Sequence, residues 1–88
     1  MSLGNLPLDA SKRVFLAPSC LKDNTVVERI LKVLDGYKVP KDRIILQVDM
    51  DILNSGDYII RCSDGVVQLF EVQLTLPFGF TTNLVGKI

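Results

Sequence analysis

The sequence contains no histidine and no tryptophan. Without an imidazole, Ser19, Ser55 and Ser63 lack the usual activating base, and nothing in the spacing sets a lysine beside any of them. The same absence removes the commonest zinc ligand. The cysteines are few, Cys20 and Cys62, and they do not form a CxxC pair. With no sign of secretion, two separate buried thiols are expected in preference to a bridge. The 6 glycines are scattered and build neither GxGxxG nor a Walker loop. Aromatic residues make up 7% and do not interleave with a basic patch, so stacking on single-stranded nucleic acid finds no support.

Charge of either sign is not in excess. Lys plus Arg and Asp plus Glu are 10 each, for a formal net charge of zero. That excludes the basic stripe of a general nucleic-acid binder and the polybasic anchor of a membrane-surface protein. Zero charge with many aliphatics also predicts a tendency to associate. No apolar run reaches transmembrane length, and the N-terminus lacks a basic region followed by an apolar core. A cytoplasmic protein is the expectation. Met1-Ser2-Leu3 reads equally as a leader or as native sequence and is left out of the fold reasoning.

What is present is apolar surface: 48% of 88 residues. One domain over residues 12–88 is expected, preceded by a patternless arm at 1–11. So short a chain needs either an efficient core or a partner that completes one.

Residues 25–49 carry the clearest pattern. Thr25 followed by Glu28 fits a capping box, with Asn24 as the other candidate cap. Val26, Val27, Ile30, Leu31, Val33 and Leu34 form a broad apolar face at helical spacing, and Glu28, Arg29, Lys32 and Asp35 form the wet side. Gly36 is placed to stop the helix and Pro40 to keep it from resuming. Before the helix, residues 12–17 (KRVFLA) read as a strand with Val14 and Leu16 on one face, Arg13 and Phe15 on the other. Cys20 and Leu21 are expected to tuck under the helix. After it, residues 43–48 read as a central strand, since Ile44 and Ile45 are apolar on both faces. Asn54-Ser55-Gly56-Asp57 is a turn, residues 58–62 a strand, Ser63-Asp64-Gly65 a hairpin turn and residues 66–76 a long strand. From Phe70 onward, Phe70, Val72, Leu74 and Leu76 alternate with polar residues until Pro77 and Gly79 end the run. The tail at 78–88 is too apolar for a free end; it covers the open sheet edge or docks on another chain. The sum is an α+β domain, one amphipathic helix on a four- to five-stranded mixed or antiparallel sheet.

Asp49-Met50-Asp51, with Asp57 as a third ligand, is the one acidic constellation that could hold a divalent cation. Leu53 stands where a calcium loop needs an oxygen ligand, so the pair reads as a solvated strand end and no metal or other cofactor is expected. Lys12 and Arg13 at the start of the first strand, with Lys22 before the helix, are the candidate partner-binding residues. A basic strand edge can receive an acidic partner by strand addition or charge pairing. Reversing Lys12 and Arg13 to Glu would then alter stability by no more than about 0.5 kcal/mol, as surface changes do.

The run TVVERILKVLDGYKVPKDRIILQVD resembles the middle of a ubiquitin-like, β-grasp domain. Thr25-Val26 stand at the helix start, Pro40 and Asp42 follow it, and Ile44-Ile45-Leu46 form the next strand. KRVFLAP at 12–18 is similar to the early strand of Ras-association and FERM-lobe members. The resemblance implies a β-grasp-like sheet and a non-catalytic domain that recognises a protein partner. It also calls for a strand hairpin before the helix, where one good strand is found. The chain has no C-terminal Gly-Gly, which argues against conjugation as a modifier. The expected function is therefore protein binding, with neither enzyme activity nor nucleic-acid or membrane partners. The alternative is a subunit of a small homo-oligomer whose C-terminal strand and tail pair between chains.

Overall fold

In the computed structural model, which describes residues 6–49, 51–75 and 79–88, the domain is α+β: a five-stranded mixed sheet with one long helix. In chain order the elements are β1 (Val14–Leu16), α1 (Pro18–Leu21), α2 (Asn24–Gly36), β2 (Ile44–Ile45), β3 (Tyr58–Ser63), β4 (Val66–Leu74) and β5 (Phe80–Lys87). A short 3-10 turn, Lys41–Arg43, leads into β2.

The cap of α2 lies one residue before Asn24 and two before Thr25, the expected caps. Asp23 is extended and its carboxylate accepts from the Thr25 amide at 2.9 Å. Asn24 and Thr25 are already in the first turn. A carboxylate satisfies a free amide as a hydroxyl does and also faces the positive end of the helix dipole. The C-terminus differs too. Gly36 remains helical, and Lys38 takes the left-handed conformation at φ 64°. Lys38 N donates to Asp35 O at 2.9 Å and Val39 N to Leu34 O at 3.0 Å. These are the paired bonds of a Schellman ending, completed by apolar contact across it. Burial of Val39 in the same core as Leu34 sets where the chain reverses.

The sheet order is β2-β1-β3-β4-β5, with β1 parallel to both neighbours and β3, β4 and β5 antiparallel in succession. Two expectations are corrected here. β1 is central, because Val14, Phe15 and Leu16 are all fully buried and can be satisfied only with a layer on each face. The strand expected at 43–48 shrinks to two residues and lies at the edge. Among the described residues a single strand precedes the helix. Residues 6–9 run beside it instead, with Leu6 N donating to the Tyr37 hydroxyl at 3.2 Å and Asp9 N to that of Tyr58 at 3.0 Å. Residues 6–9 of the arm are thus docked. Asp9 also accepts from Ser11 N and Ser11 Oγ, bonds that hold its carboxyl below the usual range.

The hairpin between β3 and β4 matches its sequence signal. Asp64 and Gly65 have φ of 51° and 79°, as a two-residue type I′ turn requires.

Each face of the sheet has its own core. The helices and the arm cover Val14, Leu16, Tyr58, Ile60, Val67 and Leu69. On the other face, Leu53 and Val48 from the 46–57 connection cover Phe15, Ile59 and Val72. Each fully buried Leu, Ile or Phe contributes about 1.5–3 kcal/mol. That connection reaches only so far along β4. Phe70 is half-buried and Leu74 is 45% exposed, so among the described residues the expected buried face of β4 is fully covered only at Val72. Leu76, Pro77 and Phe78 lie outside the described residues. The rest of the tail is β5 itself, with Phe80, Val85 and Ile88 packed against the cores.

Cys20 and Cys62 are joined in a disulfide between α1 and β3, correcting the expectation of separate thiols. Both side chains turn to the helix-covered face, which brings their Cα atoms to 5.1 Å, within bridging range.

Candidate protein-binding groove

The residues picked out from sequence separate in space. Arg13 turns inward: its Nη2 donates to Asp57 Oδ2 at 2.8 Å and to the carbonyl of Ile52, and its guanidinium lies over the Phe15 ring, 5.4 Å from the centroid. It is committed to its own domain. Lys12 is exposed, with its chain lying along Gly56, and Lys22 is exposed at the end of α1. Because β1 has a strand on either side, no partner strand can add to it. The strand-edge mode expected at Lys12 and Arg13 is thereby corrected.

The acidic constellation also dissolves. Asp57 is 4% exposed and holds Arg13 and the Asn54 amide. Asp49 accepts from the Asp51 amide at 3.0 Å in a local turn. Among the described residues there is no group of three metal-ligating side chains.

A different surface gathers apolar residues from α2 and the segment after it into a groove. After the Schellman turn, Val39 is buried, Pro40 is extended, and the Lys41–Arg43 turn delivers β2 to the outer side of β1. Because β2 is only two residues long and nothing described pairs with its far side, the sheet ends beneath the flank of α2. The apolar arc of α2 is wider than the sheet below it. Ile30, Val33 and Leu34 are buried, and Leu31, 36% exposed, overhangs the edge. Leu46 leaves β2 with 53% of its surface open. Leu31, Val39, Ile44 and Leu46 line an open groove of about 500 Å³, with Lys32, Asp35 and Lys41 around it. Arg43 is turned away from the rim, donating to the Ser11 carbonyl at 2.8 Å.

The groove can take apolar side chains, with the charged groups of Lys32, Asp35 and Lys41 beside them. Sequence reasoning put Leu31 on the apolar face of the helix and Ile44 on the next strand, but it carried Leu46 on that strand, which ends at Ile45, and did not join these residues into a groove. The available signal was Leu31, which lies at the margin of an apolar arc too broad for one buried stripe.

No family model matches the chain, and neither a curated protein nor a solved structure matches it. No described helix is long and apolar enough to cross a membrane.

Proposed function

We propose that this domain is a non-catalytic protein-binding module, and that it binds through the groove between α2 and β2. The observation that carries the reading is the juxtaposition of Leu31 and Leu46, both exposed, across a groove floored by Val39 and Ile44. The occupant that fits is a protein segment presenting aliphatic side chains flanked by acidic residues, since two lysines and one aspartate surround the groove. An apolar anchor seated in such a pocket with charge pairing at its rim is the usual arrangement of a specific contact. The ubiquitin-like resemblance points to the same class of activity.

A bridge such as Cys20–Cys62 persists in an oxidising compartment and is rare in the reducing cytosol, which weighs against the cytoplasmic placement expected from the missing leader pattern.

Selection from a displayed library of random peptides tests the function. Binders are expected to share aliphatic residues with acidic neighbours. Leu31→Glu or Leu46→Glu should weaken them by at least about tenfold, equivalent to about 1.4 kcal/mol. Failure to select any binder, or binders indifferent to both substitutions, would overturn the proposal.

A further inference from the structure

The sheet has two edges, and they are unlike. β2 is two residues long, the kind of short edge that discourages strand addition. β5 is eight residues long, Phe80–Lys87. Its sequence, FTTNLVGK, has no proline and no acidic residue, and its one charge, Lys87, lies at the far end. The register shift that could bend it away falls opposite Leu69 and Phe70 of β4, beyond the stretch from Phe80 to Asn83.

The direction of its free backbone groups can be worked out. Thr75 N donates to Gly79 O, so residue 79 faces β4. Alternate residues of a strand turn their amide and carbonyl to opposite sides. Thr81 and Asn83 therefore bond β4, while Phe80, Thr82 and Leu84 direct both groups outward. Among the described residues no backbone group meets them. Their side chains share a face with Leu74 and Phe70, through the pairs Leu74↔Phe80, Val72↔Thr82 and Phe70↔Leu84. Leu84 is 54% and Leu74 45% exposed. An apolar strip thus runs to an open hydrogen-bonding edge on the face that the helices leave bare.

We propose that β5 pairs antiparallel with β5 of a second copy, about a two-fold axis perpendicular to the sheet, so that the two sheets become one. A second copy is the occupant because the strand is complementary to itself. With the two Thr82 residues at the axis, outward-facing Phe80 meets Leu84 of the other copy on each side. These are the aromatic–aliphatic and Thr–Thr cross-strand pairs that stabilise sheets. The apolar strips then join across the axis. Lys87 stays outside the paired stretch, so no like charges are opposed, and zero net charge leaves no long-range repulsion between copies. The pairing uses the sheet edge opposite the α2–β2 groove, and the two surfaces operate independently.

Size-exclusion chromatography with light scattering, over a dilution series of the full chain, tests this. The wild type is expected at twice 9.8 kDa, falling to one chain on dilution. Thr82→Pro removes an outward amide that bonds nothing among the described residues, and Leu84→Lys places a charge on the strip; each should give a monomer with an unchanged circular dichroism spectrum. If Thr82→Pro does not fold, Leu84→Lys decides. In the dimer, hydrogen exchange at Phe80, Thr82 and Leu84 should be slow, and it should quicken on dilution. A wild type that is monomeric throughout, a dimer that survives Leu84→Lys, or an assembly larger than two chains would overturn the pairing.

Discussion

Arg13 Nη2 and Asp57 Oδ2 lie 2.8 Å apart and tie the residue before β1 to the residue before β3. The same junction carries a backbone bond, from Tyr58 N to Arg13 O. The carboxylate is almost fully buried, whereas the guanidinium keeps partial contact with water. Removing one partner of a buried pair leaves an uncompensated charge, a loss of about 3–5 kcal/mol in enclosed sites. The partial exposure of Arg13 and the Asn54 amide on Asp57 reduce this. Arg13→Ala should therefore lower unfolding free energy by about 2–3 kcal/mol in urea titration. A loss below about 0.5 kcal/mol, the surface value expected from sequence, would show that the pair is not structural.

The disulfide closes a loop with a sequence separation of 42. Constraining the unfolded chain over that length is worth about 4 kcal/mol in the chain-entropy model. Cys20→Ala together with Cys62→Ala, or reduction of the native protein, should lower stability by an amount of this order. Equal midpoints for oxidised and reduced protein in thermal melts would mean that the bridge contributes nothing.

The end of α2 is open to improvement by two changes of opposite kind. Gly36 is helical and a Cβ built there meets nothing within 4 Å. Gly36→Ala should raise stability by about 0.5–1 kcal/mol through helix propensity and a less flexible unfolded chain. Lys38 occupies a left-handed position where glycine has no steric penalty. Lys38→Gly should add a few tenths to about 1 kcal/mol, because relief of the left-handed strain exceeds the entropy glycine loses. Chemical denaturation of each variant checks the pair, and a loss of stability in either would contradict the helix ending described above.

These positions show what could be read in the sequence and what could not. The helix, the Asp64-Gly65 hairpin and the α+β class rest on local signals, a 3.6-residue period and a turn demanding positive φ, and all three stand in the structure. Strand order depends on which segments find burial on both faces. The sequence favours Ile44-Ile45 as central over Val14-Phe15-Leu16, and the structure reverses the two. The outcome turns on the 46–57 connection, whose Leu53 and Val48 cover Phe15 and build a second core that periodicity does not reveal. Arg13 reads as a surface cation until Asp57, 44 residues away, is brought to it. The groove was invisible for the same reason, since Leu31 and Leu46 meet only after the chain reverses at Lys38.

Backbone amide chemical shifts, recorded as a selected aliphatic–acidic peptide is titrated in, test the binding role most directly. The groove reading predicts shifts concentrated at Leu31, Lys32, Val39, Ile44 and Leu46, with Lys12, Lys22 and the β5 edge unmoved. Shifts centred on Lys12 and Lys22, with the α2–β2 groove silent, would contradict it.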